Sequence, residues 1–297
     1  MATDLAGLKD KVLFITGAAR GIGEETARRA AAHGAHVAAV GMEPERLEEL
    51  VTELGPGHTW AECDVTDQAS LEAAVETTVR ELGGIDVVVA NAGIANHGTV
   101  ATSPADVIAR VMEVNLIGVS RTVSATVAEV EKRRGYILLV SSLAAFTALP
   151  GMAAYCGAKA GVENYGNALR FELAYRGIGV GTAHMGWIDT DLVRDVKADS
   201  STFEDTLKKL PYPLGALTSV EDCADAFLEG IVRRKRRIFV PKAVALVAAA
   251  RPITFSWLGD LPVLKQAKQM VPRLEEQFRK TGRTFGSTSA GMGKRGA

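Results

Sequence analysis

The stretch KVLFITGAARGIG, residues 11–23, decides the fold. A short apolar run from Lys11 to Thr16 is followed by a glycine-rich turn, and from Glu24 to His33 the composition is alanine-rich and helical. The same alternation continues down the chain. AHVAAV (35–40) reads as a second strand, 43–54 as a helix with Leu47, Leu50, Val51 and Leu54 on one face, and TWAECDV (59–65) as a third strand. A helix over 71–82 and a strand over 85–91 follow, then a long helix from Pro104 toward Ala128 and a strand over 136–142. A helix over 152–175, a strand over 178–185, a helix over 220–232 and a strand over 237–241 complete the pattern. Continuously apolar strands separated by helices specify a parallel sheet covered on both faces. The expectation is therefore an α/β fold with a doubly wound, seven-stranded parallel sheet, whose ligands bind at the carboxyl ends of the strands near the switch point.

Composition sets the outer limits. With 47% hydrophobic and 23% charged residues the chain is neither disordered, collagen-like nor a disulfide scaffold, and 30 glycines with 6% aromatics suit an Ala/Val/Gly-rich core. No repeat or low-complexity linker divides residues 1–240, which predicts one domain there, a basic and apolar helical extension over 241–281 and a disordered tail over 282–297. Residues 137–158 carry no charge over a span long enough to cross a bilayer. Ser141, Ser142, Thr147, Pro150 and Gly151 within it favour a strand, a loop and a helix start instead. The N-terminus lacks the basic and apolar regions of a secretory signal. Cys63, Cys156 and Cys223, odd in number and without CxxC spacing, point to a reducing compartment, and the expected location is cytoplasmic. Five histidines without paired-ligand spacing give no metal site.

Two motifs carry chemistry. Gly17, Gly21 and Gly23 are spaced G-x-x-x-G-x-G between the first strand and the first helix. There the backbone can approach a pyrophosphate and the helix N-terminus supplies N–H groups, although a glycine turn without a ligand has the same look. Tyr155 and Lys159, four apart, share one helix face, and an ammonium beside a phenol is expected to lower its pKa from about 10 toward neutrality, making a usable acid or base. Ser142, at the end of a strand, can donate to the same substrate oxygen. Taken singly, a Tyr-x-x-x-Lys pair is also an ordinary helix surface.

Together, TGAARGIG (16–23), Asn91-Ala92-Gly93, Asn115, Ser142 and Tyr155-Cys156-Gly157-Ala158-Lys159 resemble the short-chain dehydrogenase/reductase family over roughly residues 8–240. The resemblance implies a Rossmann-type fold and nicotinamide-dependent hydride transfer between an alcohol and a carbonyl. It implies Tyr155 as acid/base, Lys159 also gripping the nicotinamide ribose, Ser142 polarising the carbonyl and Asn115 holding a water for proton relay. It further implies a cofactor lined by Gly17, Arg20, Gly21, Ile22, Gly23 and Gly41, by Asp64 and Val65 at adenine, by Asn91, Ala92 and Gly93, and by Gly186, Ile188 and Thr190. Asp64 could equally cap the next helix. The family's proline before Gly186 is here Met185.

Gly41 and Met42 stand at the end of the second strand, where an acidic residue would chelate the ribose of NAD. Arg20 could pair with a 2'-phosphate, so the reading leans to NADP, with NAD as the alternative in which Glu43 reaches the ribose. A substrate pocket is expected from Ile94 to His97, Leu143 to Leu149, Met152 and Gly186 to about Leu214. Leu143, Phe146, Leu149 and Trp187 would make it apolar, unless they are core; His97 and His184 read as structural. Helices 104–128 and 152–175 resemble the family's subunit contacts, and Ala153, Ala154, Gly157, Ala158 and Gly161 would permit close packing in a homodimer or homotetramer.

The net charge of -1 conceals an asymmetry: residues 233–297 hold 15 basic and 3 acidic groups, leaving 19 and 32 to the rest. After Arg233–Arg237 and the apolar run 243–250, Leu261, Leu264, Ala267, Val271, Leu274 and Phe278 recur at helical spacing with Lys265, Lys268, Arg273 and Arg279 between them, a pattern expected to break at Pro272. The region reads as a solvated basic turn with helices covering the body or a neighbouring subunit, or as a peripheral contact with an anionic membrane. Nucleic acid is not expected, because stacking aromatics are not interleaved with the charges. The reading is thus an oxidoreductase acting on a small to medium, apolar carbonyl or alcohol. The alternative is a dinucleotide-binding sensor or membrane-recruited scaffold with vestigial catalysis.

Overall fold

The computed structural model of the chain describes residues 4–96, 98–191, 193–194, 207, 215–281 and 285. The first strand, β1 (Val12–Thr16), is buried along its whole length. Its side chains alternate between two cores, as period-two geometry requires. Leu13 and Ile15 join one cluster with Val37 and Ala39, while Phe14 joins the other with Ala38 and Val40. Each such large side chain taken wholly out of water contributes about 2 kcal/mol.

Helices cover both clusters. On the first lie α1 (Gly21–Ala32), α2 (Pro44–Leu54) and α7 (Val220–Val232), contributing Ala27, Leu47 and Phe227. On the second lie α3 (Gln68–Leu82), α4 (Ala105–Met112), α5 (Gly118–Lys132) and α6 (Ala153–Glu172), contributing Leu71, Val111, Val123 and Val162. Between them run β2 (His36–Gly41), β3 (Thr59–Glu62), β4 (Val87–Ala90), β5 (Tyr136–Val140), β6 (Gly179–Met185) and β7 (Arg237–Val240). All pair in parallel in the order β3-β2-β1-β4-β5-β6-β7. This is the expected seven-stranded, Rossmann-type sheet. Its order reverses between β1 and β4, and a crevice opens there at the carboxyl ends.

Local chemistry moved several boundaries. Helix α3 starts earlier than expected because Asp67 caps it, its carboxylate accepting from the Ala69 amide at 3.0 Å. β3 stops at Glu62 rather than continuing to Val65. The long helix predicted from Pro104 is divided by a π-helical segment, Glu113–Ile117, and runs on to Lys132. Pro272 does not break the last helix, α10 (Trp257–Thr281), which follows α8 (Val244–Ala249) and the single turn α9 (Arg251–Thr254). Pro262 and Pro272 both lie on its exposed side, where a carbonyl deprived of its helical donor can bond to water. In the tail expected to be disordered, Phe285 is buried and bridges to Asn96; 282–284 and 286–297 lie outside the described residues.

The basic turn 233–237 is tied to the body rather than simply solvated. Arg234 donates to the Arg134 and Gly177 carbonyls, Lys235 pairs with Glu229 at 2.8 Å, and Arg237 reaches the carboxylate of Glu163. Glu163 is buried on α6 and also accepts from His184 Nε2 at 2.7 Å and from Thr182 Oγ1 at 3.2 Å. His184, structural as expected, stacks on Phe239 and packs against Phe146. This cluster fastens α6 to β6 and β7.

Burial alone would raise the Glu163 pKa, but His184 and Arg237 outweigh it and bring the carboxyl down to about 2. A carboxyl with a depressed folded pKa stabilises the fold above its unfolded value, and that contribution fades as the pH falls toward the folded value. Denaturant midpoints should therefore be insensitive to this group at neutral pH and fall between pH about 4.5 and about 2. Glu163→Gln should cost about 3 kcal/mol at pH 7 and flatten that acid limb. An acid limb identical in parent and variant would refute the assignment.

Candidate active site

A cleft of ≈ 1220 Å³, open mouth included, runs along the carboxyl ends of β1 to β6. Gly17, Ala19, Arg20, Gly21 and Ile22 form one wall, Gly41 to Glu43 and Cys63 to Val65 one end, and Asn91 to Ile94 the floor beside Asn115, Val140, Ser141, Tyr155, Lys159, Met185, Thr190 and Asp191. Among the expected site residues, Gly23, Ser142, Gly186 and Ile188 do not line this cleft.

The glycine turn is built from β1 and β4 together. The Thr16 hydroxyl accepts from the Asn91 and Ala92 amides at 3.0 and 3.2 Å, and Asn91 Nδ2 donates to the Thr16 and Gly17 carbonyls at 3.0 and 3.2 Å. Gly23 sits so close beneath the turn that a Cβ there would strike the Gly17 carbonyl. Only glycine lets α1 begin at Gly21 directly behind the turn, with its first N–H groups and positive dipole end available to an anion. A dinucleotide's pyrophosphate fits this cradle.

At the end of the cleft beside β2, the Arg20 guanidinium grips Glu43 through Nε and Nη2 and lies 3.7 Å from Asp191. The Glu43 hydrogen bonds raise the Arg20 pKa. Asp64 is also engaged: Oδ1 accepts from the Thr66 amide and hydroxyl, and Oδ2 from Arg110 at 3.0 Å. Burial pushes its pKa up, but these partners more than reverse it and the net shift is downward. Asp64 does not cap α3, since Asp67 does. Arg110, Met42, Cys63, Val114 and Asp191 line the cleft beyond the expected set.

The catalytic candidates converge on α6. Lys159 is buried and donates from Nζ to the Val140 carbonyl at 3.0 Å, while Ser141 Oγ donates to the Lys159 carbonyl at 2.8 Å. Lys159 Nζ stands 5.6 Å from the Tyr155 ring centre. Asn115, in the π-helical segment, is fully buried; its Nδ2 donates to the Ile94 and Val111 carbonyls at 2.7 and 2.9 Å and its Oδ1 accepts from the Ile94 amide. A Cβ on Gly93 would lie 2.7 Å from Asn115 Oδ1 and 3.5 Å from Lys159 Nζ, so these three residues meet at one point. Ser142 Oγ accepts from the Ala144 amide at 3.1 Å and reaches the Met185 carbonyl at 3.5 Å.

The electrostatics run opposite to the expected direction. Burial pushes the Tyr155 hydroxyl up to about 12, against a smaller pull from the Ser142 hydroxyl, and burial draws Lys159 down to about 8. The physical reason is that the lysine head is directed to a carbonyl and desolvated along with the phenol. Of the expected substrate lining, Phe146 belongs instead to a small core with Ala145 and Val244. Leu143 and Trp187 are half-buried, and His97, 192, 195–206 and 208–214 lie outside the described residues.

Comparison with known proteins agrees with this geometry. A family profile described as short chain dehydrogenase matches residues 11–201. The chain is 36% identical over 234 residues to 2,3-dihydro-2,3-dihydroxybenzoate dehydrogenase of Bacillus subtilis, covering 75% of this chain and 89% of that one. It is 32% identical over 205 residues to the 3-oxoacyl-[acyl-carrier-protein] reductase FabG of Vibrio cholerae, covering 69% and 83%. A short-chain type dehydrogenase/reductase from Mycobacterium marinum, solved by crystallography, superposes with a TM-score of 0.73 at 27% identity over 80% of this chain and 97% of its own.

A lysine whose folded pKa is depressed to about 8 binds fewer protons than the unfolded chain at higher pH, so its burden on stability lessens as the pH rises above that value. The stability of the parent relative to Lys159→Met should therefore increase between pH about 8 and about 10.5, read from paired urea titrations. A constant difference over that interval would refute the depressed lysine.

Proposed function

The chain belongs to the short-chain dehydrogenase/reductase family of NAD(P)-dependent oxidoreductases acting on CH–OH and C=O groups, and we propose that its own substrate is a small to medium, apolar carbonyl or secondary alcohol. The observation that carries the site assignment is Tyr155 and Lys159 on one face of α6, in the same cleft as the glycine turn. In this reading Gly17, Gly21 and Ile22 hold the pyrophosphate with Gly23 making room beneath the turn, Asp64 and Val65 meet the adenine, and Asn91, Ala92, Gly93 and Thr190 take the nicotinamide half, with Gly186 and Ile188 supporting the backbone behind it. The dinucleotide, when bound, supplies or accepts the hydride. Tyr155, kept protonated by its raised pKa, gives its hydroxyl proton to the carbonyl oxygen and takes one back in the reverse direction. Lys159 grips the ribose and, poised near 8, exchanges protons behind the phenol. Ser142 Oγ donates to the same oxygen, and Asn115 keeps the Gly93–Ile94 backbone in place beside the lysine, where a relay water would sit.

The Arg20–Glu43 pair turns the cofactor preference away from NADP. For Arg20 to take a 2'-phosphate it must release Glu43 and leave that carboxylate, with Asp191, against a dianion. With NAD, Glu43 can keep Arg20 and accept from a ribose hydroxyl. Exposed Ile117 just before α5, Phe171 on α6 and Tyr175 just after it suit the subunit contact of a homo-oligomer, and the free cysteines suit a reducing compartment.

Two measurements test this reading. Tyr155→Phe should cut turnover on a carbonyl and alcohol panel, followed by reduced-nicotinamide absorbance, at least about a hundredfold while cofactor binding persists. Turnover that survives the change would overturn the mechanism, and a parent without turnover on any member would favour the sensor reading. NADH should bind roughly tenfold more tightly than NADPH, and Glu43→Gln should narrow the gap by freeing Arg20. Tighter binding of NADPH by the parent would reinstate NADP.

A further inference from the structure

The last helix changes character halfway along. In its second half the stripe Ala267, Met270, Val271, Leu274 and Phe278 is half-buried against the body: Leu274 packs over Gly151 and Phe278 over Gly98, and Glu275 accepts from the Thr99 hydroxyl at 2.9 Å. Toward the N-terminus the same face runs past the edge of the body. Trp257, Leu261 and Leu264, spaced i, i+4, i+7, are exposed there, Trp257 by 71%. The preceding turns add Leu246, Ile253 and Phe255, so the chain's exposed large apolar side chains concentrate within about twenty residues of sequence.

We propose that residues 244–264 form a peripheral docking surface for an anionic lipid bilayer. Three observations select this occupant. Residues 242–273 carry Lys242, Arg251, Lys265, Lys268 and Arg273 against the single carboxylate of Asp260, and such a surface is complementary to anionic headgroups. Lys265 and Lys268 follow Leu261 and Leu264 by four residues, so their stems can lie along the apolar stripe while the ammonium heads stay at headgroup depth. Trp257 and Phe255 add aromatic rings, which favour the interfacial zone. A second copy of the chain fits less well, because a two-fold contact would set five cations against five. No described helix is long and apolar enough to cross the bilayer, so the segment adsorbs rather than spans. The surface is independent of the reaction proposed above: it rests on exposure and charge alone.

The test is flotation of the full-length protein with vesicles of phosphatidylcholine alone and of phosphatidylcholine with phosphatidylserine, at low and high salt. Binding should be at least about tenfold stronger on the anionic vesicles, weaken at high salt, and disappear in the triple variant Trp257→Ser, Leu261→Ser, Leu264→Ser, which removes exposed side chains only. Dinucleotide binding by that variant should equal the parent's, which shows that it is folded. The proposal is overturned if the parent ignores anionic vesicles or if the triple variant binds them equally. It is also overturned if the parent is a larger oligomer in size-exclusion chromatography that the triple variant dissociates, since the face would then join copies of the chain.

Discussion

The placement of the candidate acid depends on one constraint: two charged side chains on the same face of α6, Lys159 and Glu163, lie inside the protein and must be satisfied there. Lys159 finds the Val140 carbonyl at the end of β5, and Glu163 finds His184 and Thr182 on β6 and Arg237 on β7. With Ser141 bonded to the helix backbone, these contacts fix both the rotation and the height of α6 over three adjacent strands. Tyr155, one turn before Lys159 and beside the Ser142 hydroxyl, is carried to its place by this registration of the helix. The sheet is a rigid template and the buried charges are the pegs that register the helix to it.

The same economy is visible at the glycine turn. A single hydroxyl, Thr16, accepts two amides from the neighbouring strand's exit loop, and Asn91 returns two donors to the turn. Backbone groups that would be left unpaired where β1 and β4 diverge are satisfied without covering the cleft. The open crevice at the switch point is therefore stable as a crevice.

Much of this was legible in the residues. Alternation of short apolar runs with amphipathic helices is a local signal, and it located all seven strands and the cleft at their ends. The glycine spacing and the Tyr-x-x-x-Lys pair are local too, and both face the cleft. What escaped was set by residues far apart in sequence. Arg20 reads as a free cation until Gly41 is seen to deliver Glu43 beside it. The lowering expected of the Tyr155 pKa assumed that helix spacing decides the electrostatics, whereas desolvation is a property of the whole packed site. Phe146 reads as pocket lining but turns inward to His184 and Phe239, which come from strands on the far side of the loop. Pro272 gave the wrong boundary because its cost depends on whether the opposed carbonyl meets water.

The π-helical segment Glu113–Ile117 has a broader effect on the architecture. One residue more than an α-helical turn advances the helical phase by about 100°, so the sides of α4 and α5 that meet the second core cluster do not form one straight seam. Val107 and Val111 before it, and Val119 and Val123 after it, reach that common interior from two rotational settings. The slippage turns Asn115 inward to tether the Ile94 backbone, which a uniform α-helix with the same outer ends could not do without rotating one half of its apolar seam into water.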